Sequence, residues 1–166
     1  MAHPALRVAI LAVVLGLPAP TSRADEILLG QVPRKAILSI APEWRAQYEG
    51  YIPAAEDLAA LPPLPRGARL EVYFGSWCGD SRVGVPHLLK ILDGAKDVHF
   101  KVRFYAVDRT KKEPAGLLEG VGLERVPTIV LSVKGREVGR IVETPRTTLE
   151  HDLAQLIAEA RGPAGS

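Results

Sequence analysis

Residues 71–81 read Glu-Val-Tyr-Phe-Gly-Ser-Trp-Cys-Gly-Asp-Ser, and Cys78 in this stretch is the only cysteine of the 166-residue chain. The apolar residues before Gly75 are typical of a buried strand, and a helical pattern begins two residues after Cys78. A thiol at the first turn of a helix faces unpaired backbone N–H groups and the positive end of the helix dipole. Both favour the thiolate, which is the reactive form of cysteine.

The pattern on either side of this turn predicts a mixed α/β arrangement. Four segments have strand patterns: residues 70–74, 98–107, 128–133 and 137–142. The last two are expected to form a hairpin across residues 134–136. Three segments in the same region have helical patterns: residues 80–92, 113–119 and 147–160. The predicted order β-α-β-α-β-β-α gives a sheet of parallel and antiparallel strands covered by helices.

The segment before this region, residues 25–67, is expected to be a helical extension. Short helices are predicted at residues 43–48 and 54–61, and a proline-rich stretch ends the second one. The aromatic side chains of Trp44, Tyr48 and Tyr51 are interpreted as packing against the main domain. The domain itself is predicted to span residues 68–161, followed by a disordered tail at 162–166.

The first 24 residues have the pattern of an export signal. Arg7 is followed by an apolar run at residues 8–17, and Ser22 and Ala24 are the small residues of a cleavage site. The apolar run is shorter than the roughly 20 residues that a membrane-spanning helix needs, so no stable insertion is expected after cleavage. We therefore predict a periplasmic or secreted bacterial protein. An uncleaved anchor and a buried N-terminal helix are the alternatives.

Charge and histidine content argue against two classes of partner. Removal of Arg7 and Arg23 lowers the 21 basic residues to 19, equal to the 19 acidic ones, so nucleic acid is not an expected partner. No metal site is expected, because His87 lies nine residues after Cys78 and should project from the opposite face of its helix. The histidines are interpreted as surface residues. No cofactor is predicted.

This arrangement resembles the thioredoxin superfamily over residues 70–161. Four features occur in the thioredoxin order and at thioredoxin-like spacings: Trp77-Cys78, Pro86 eight residues later, Asp108 at the end of the next strand, and Val126-Pro127-Thr128 before the hairpin. The Trp-Cys-Gly-Asp-Ser turn resembles a subgroup of exported or uncharacterised thioredoxin-like proteins. The resemblance implies a thioredoxin-like fold with a mixed central β-sheet flanked by helices and, here, an N-terminal helical extension.

The resemblance also implies which residues meet at the site. Pro127 is expected to follow a cis peptide bond and to lie beside Cys78, and the Val126 backbone is expected to offer a strand edge to a bound substrate. Trp77, Val126 and Pro127 are therefore the predicted substrate-binding residues. Cys78 and Ser81 are the predicted catalytic pair, with Ser81 a candidate hydrogen-bond donor to the Cys78 thiolate.

Two positions depart from ordinary thioredoxins. Ser81 stands where a dithiol enzyme has its resolving cysteine. Val72 stands where thioredoxins carry a buried acid, and the neighbouring Glu71 should point to the opposite face of the sheet.

The predicted function is therefore thiol–disulfide exchange by a monothiol protein. Its partner is expected to be a protein disulfide or thiol, and an external thiol such as glutathione would resolve the mixed disulfide. A monomer is expected. The alternative is a redox-silent module of the same fold that binds a partner protein.

Overall fold

The structure is a computed structural model that describes residues 27–95 and 101–162. The strands in these ranges are β1 (Gly30–Val32), β2 (Ala68–Phe74), β3 (Val102–Ala106), β4 (Thr128–Val133) and β5 (Arg136–Val142). The helices are α1 (Arg34–Ile37), α2 (Pro42–Gly50), α3 (Ala55–Ala60), α4 (Gly79–Gly94), α5 (Ala115–Leu118) and α6 (Leu149–Arg161).

The strands form one mixed sheet in the order β1-β3-β2-β4-β5. The central strand β2 runs parallel to β3 and antiparallel to β4, and Val72 on β2 lies opposite Phe104 on one side and Ile129 on the other. Its inward residues Leu70, Val72 and Phe74 are fully buried, as the apolar run predicts for a central strand. The predicted fold, a mixed sheet flanked by helices, is confirmed.

The two faces of the sheet carry different packing. The larger core lies on the face covered by α4, α6 and the helices that precede β2, and it includes Leu88 from α4 and Leu153 from α6. On the other face, Tyr73, Tyr105 and Val130 form a smaller cluster that packs against the segment following α5. The predicted orientation of Glu71 is confirmed, because one of its carboxylate oxygens lies 3.5 Å from the Tyr105 hydroxyl on this second face.

The segment before β2 packs against the sheet and α4. β1 adds an edge strand by pairing antiparallel with β3, and neither β1 nor α1 was predicted, because three or four residues are too few to show a periodicity. α2 lies against α4, and its Trp44 is fully buried with its ring edge-on to Phe74, at 5.5 Å between ring centroids. The predicted packing of Trp44 against the domain is confirmed.

Several predicted boundaries shift by a few residues. α4 begins at Gly79 and continues past Pro86 without a break, and the β4–β5 hairpin closes through a two-residue turn, Lys134 and Gly135, both with positive φ. Such a turn matches the right-handed twist of the flanking strands. Residues 98–100 of the second predicted strand, the predicted signal segment and the end of the tail, 163–166, lie outside the described residues. In the ranges that are described, no helix has the length and apolar character needed to cross a membrane.

Candidate functional site

Cys78 lies at the junction between β2 and α4. Its amide donates a hydrogen bond to the Gly75 carbonyl oxygen at 3.0 Å, which closes a tight turn after the strand. Its own carbonyl oxygen accepts from the Arg82 amide at 3.1 Å, the first hydrogen bond of the helix. Cys78 is therefore the N-cap residue of α4. The half-buried thiol lies at the end of the helix where the backbone dipole is positive.

The loop before β4 meets Cys78 across the site. The Cys78 thiol donates to the Val126 carbonyl oxygen, with 3.3 Å between Sγ and O. The Val126–Pro127 bond is cis, as the resemblance implies. The Pro127 ring lies against Gly84 on α4, where an added Cβ would be 3.3 Å from the proline Cγ. The structure thus brings Val126 and the adjacent Pro127 to Cys78, which lies 48 residues before Val126 in the sequence.

Ser81 lies on the buried side of the same turn. Its side chain is fully buried, and its hydroxyl oxygen accepts a hydrogen bond from the Gly75 amide at 3.2 Å. Within the described residues, no hydrogen bond joins Ser81 to Cys78, whose thiol is bonded to Val126 instead. Ser81 thus holds the turn that presents Cys78, and its predicted bond to the thiolate form stays a prediction.

Trp77 forms the wall of the site next to β3. Its indole Nε1 donates to the Val107 carbonyl oxygen at 3.0 Å. The ring covers Gly75 so closely that a Cβ at that position would lie 2.6 Å from Trp77 Cε2. The Arg109 guanidinium lies over the Trp77 ring, 5.1 Å from its centroid, within the range of a cation–π contact.

The substitution Gly75→Ala should displace the Trp77 ring, because the added methyl group would overlap it. We expect a loss of about 1–3 kcal/mol in the free energy of unfolding, typical of overpacking. We also expect the Trp77 indole N–H signal to shift in a proton–nitrogen NMR spectrum while the Trp44 signal stays in place. Gly79→Ala is the matched control, because a Cβ there meets no atom within 4 Å. An unmoved Trp77 signal in Gly75→Ala would contradict the proposed packing.

A groove of about 370 Å³ lies along the first half of α4. One wall is the first half of α4, including Asp80, Val83 and Gly84, and the opposite wall is the segment between β5 and α6. In that segment, the Glu143 amide donates to the Pro127 carbonyl oxygen at 2.7 Å, which ties the groove to the Cys78 site.

A buried polar cluster closes the far end of the groove. Glu150 at the start of α6 is 1 % exposed, and both of its carboxylate oxygens accept from the Tyr51 hydroxyl, at 2.8 and 2.9 Å. The Tyr51 ring stacks on His87 with 3.8 Å between centroids. His87, interpreted from the sequence as a surface residue, is half-buried where it lines this groove. Burial lowers the pKa of His87, opposed by the charge of Glu150.

Sequence reasoning did not single out Arg109, His87 or Glu150 for the site. The sequence signal for Arg109 was its position in a loop directly after a predicted strand, where functional residues are common. The acid Glu150 offered no signal, because a glutamate in the first turn of a helix is ordinarily solvent-exposed. In the described parts of the chain, no three histidine, cysteine, aspartate or glutamate side chains lie close enough to hold a metal ion.

Comparisons with known proteins give matches at low identity, and thioredoxins are among the proteins matched. The chain is 27% identical over 84 residues to mitochondrial thioredoxin-3 of Saccharomyces cerevisiae, a match that covers 51% of this chain and 61% of that protein. Among solved structures, it is similar to a Pseudomonas aeruginosa protein of unknown function, with a TM-score of 0.50 and 18% identity over 80% of this chain and 88% of that one. A mutant thioredoxin from Halobacterium salinarum gives a TM-score of 0.42 at 21% identity, covering 60% and 79% of the two chains. No family model matches.

Proposed function

We propose that this protein carries out thiol–disulfide exchange through Cys78 as a monothiol, and that an external thiol completes the reaction. The observation that carries this proposal is the placement of Cys78 at the N-cap of α4, 3.3 Å from the Val126 carbonyl oxygen beside Pro127. The sequence similarity to a thioredoxin supports a redox role of this class. The pattern of residues 1–24 supports a periplasmic or secreted location for the reaction.

In this proposal the reaction begins when the Cys78 thiol loses its proton. The hydrogen bond to Val126 is then lost, and the unpaired N–H groups and dipole of α4 stabilise the thiolate. The thiolate attacks one sulfur of a partner disulfide, so a bond forms from Cys78 Sγ to the partner and the second partner sulfur leaves as a thiolate. The Val126 carbonyl oxygen, now free of the thiol proton, can accept from the backbone of an extended partner segment.

The second half of the reaction needs a thiol that this chain lacks. Ser81 lies three residues after Cys78 and holds Gly75 through its hydroxyl, but a hydroxyl cannot attack a disulfide as a thiolate does. The mixed disulfide on Cys78 therefore persists until a thiol from solution attacks it. Persistence of that covalent adduct distinguishes this proposal from an ordinary dithiol reductase.

The proposal can be tested by trapping the adduct. The full chain is expressed in a bacterium, recovered from the periplasm and mixed with a protein that carries an accessible disulfide. We expect an adduct that is visible by intact mass without reductant, absent in Cys78→Ala, and lacking residues 1–24. In Ser81→Cys, a thiol inside the site acts at millimolar or higher effective concentration, so the adduct lifetime should fall about ten-fold or more.

A cysteine at Ser39, which lies on an exposed loop, is the matched control for the added thiol. Ser39→Cys should leave the lifetime of the Cys78 adduct unchanged. The second candidate function, a redox-silent binding module, rests on the engagement of the Cys78 thiol with Val126 in a half-buried position. This binding function is favoured over thiol–disulfide exchange if wild type and Cys78→Ala capture the same partners equally with and without reductant.

A further inference from the structure

We infer that Arg109, which is stacked on Trp77, binds a carboxylate of a small anionic thiol such as glutathione. By binding it, Arg109 selects which external thiol resolves the Cys78 adduct. This inference rests on the proposed function. It concerns the loop at residues 108–113, which we term the basic loop and which carries Arg109, Lys111 and Lys112.

The basic loop and Cys78 follow the carboxyl ends of two neighbouring strands. β2 and β3 are parallel, with Phe74 opposite Ala106 at their carboxyl ends. β2 leads from there to Cys78, and β3 leads to the basic loop. Trp77 joins the two segments, because its indole donates to the Val107 carbonyl oxygen at 3.0 Å and its ring lies under the Arg109 guanidinium.

The acidic side chains of the loop accept hydrogen bonds from the backbone amides of the same segment. The Asp108 carboxylate accepts from the amides of Thr110, Lys112 and Glu113 at 3.0, 2.8 and 2.9 Å, and also from the Thr110 hydroxyl. These hydrogen bonds, with that from the Thr110 side chain the largest cause, hold the pKa of Asp108 well below its usual range. The Glu113 carboxylate likewise accepts from the Ala115 amide at 3.1 Å.

Arg109 is exposed, and the structure gives it no ion pair within the described residues. The guanidinium is held over Trp77 and keeps its N–H donors for a ligand, a geometry suited to a carboxylate. The groove along α4 is instead lined by Asp80 and by Glu143, whose carboxylate is paired with Arg125 at 2.7 Å. The positive side of the site therefore favours an anionic thiol, and the groove is left for the partner chain.

The reaction balances with two molecules of this thiol. The first, as thiolate, attacks Cys78 Sγ, so a Cys78–thiol disulfide forms and the partner leaves as a thiolate. The second attacks the sulfur of the bound thiol, which releases Cys78 as a thiolate and forms the disulfide of the two thiols. The net change is one partner disulfide reduced and two thiols oxidised, and Arg109 contributes only by holding a carboxylate of the attacking thiol.

The test measures how the charge of the attacking thiol affects its rate. Cys78 in the full chain is converted to its neutral 2-pyridyl mixed disulfide, and release of pyridinethione is followed on addition of glutathione or of uncharged 2-mercaptoethanol. In Arg109→Ala, the ratio of the glutathione rate to the 2-mercaptoethanol rate should fall about three- to ten-fold, as expected for one charge near an anion at a wet surface. The ratio should fall further in Arg109→Glu, and added salt should reduce the difference between wild type and the variants.

Arg66→Ala removes the same charge from the turn before β2, at the opposite end of that strand, and should leave the ratio unchanged. An unchanged ratio in both Arg109 variants would overturn the inference while leaving the proposed function intact. Failure of wild-type Cys78 to react with either thiol, or to form the pyridyl adduct while folded, would overturn the proposed function and the inference with it.

Discussion

Replacement of Trp44 by alanine should lower the free energy of unfolding by about 3–5 kcal/mol, the range for deletion of a large buried aromatic side chain. Trp44 is fully buried on α2 and touches Phe74 edge-on at 5.5 Å. The substitution therefore removes apolar contacts and leaves a cavity under the last residue of β2. Because Phe74 directly precedes the turn that carries Cys78, we also expect faster alkylation of Cys78 in this variant.

The measurement for Trp44→Ala is equilibrium unfolding in urea, followed by circular dichroism. Arg45→Ala on the same helix is the control, because Arg45 is exposed and its ion pair with Glu49 is long, at 3.9 Å. We expect the control to change the stability by no more than about 0.5 kcal/mol. A loss below about 1 kcal/mol for Trp44→Ala, far under the usual range for a buried aromatic, would mean that α2 docks on the domain only weakly.

The second large effect is expected for Tyr51→Phe, which should cost about 1.5–3 kcal/mol. Burial, followed by the hydrogen bond to Glu150, raises the pKa of Tyr51 well above its usual value, so the hydroxyl is a donor at neutral pH. Removing it leaves the buried Glu150 carboxylate with the Ala54 amide at 3.3 Å as its remaining donor in the described residues. The phenylalanine ring can keep the stacking on His87, so the loss reports the hydroxyl.

A double-mutant cycle separates this contact from its surroundings. Glu150→Leu removes the charge, and in the double variant with Tyr51→Phe neither polar partner is left unpaired. We expect the free energy of unfolding lost in the double variant to be smaller than the sum of the two single losses by about 1.5–3 kcal/mol. Unfolding in urea gives all four stabilities. Additive losses would show that the hydroxyl and the carboxylate contribute independently of each other.

The strands and helices nearest Cys78 could be predicted because their patterns are local. β2 is marked by an apolar run followed by turn residues. The patterns of β4, β5, α4 and α6 extend over about six residues or more, which is long enough for an alternating or helical periodicity to be recognised. The chemical identity of the site was also local, since Cys78, and Ser81 in place of a resolving cysteine, are read directly from the sequence. β1 and α1 escaped prediction because they are short and depend on partners elsewhere in the chain.

The contacts that give the site its character were decided by tertiary structure. The parallel register of β2 and β3 places Arg109 over Trp77, and the Pro127 loop brings the Val126 carbonyl to Cys78. The burial of Glu150 depends on Tyr51, which lies 99 residues away in the sequence. Periodicity in a sequence reports which face of an element is apolar, but not which distant side chain meets it. The sequence by itself therefore determined most of the elements and the position of the single thiol, and only the packing of the elements decided the neighbours of that thiol.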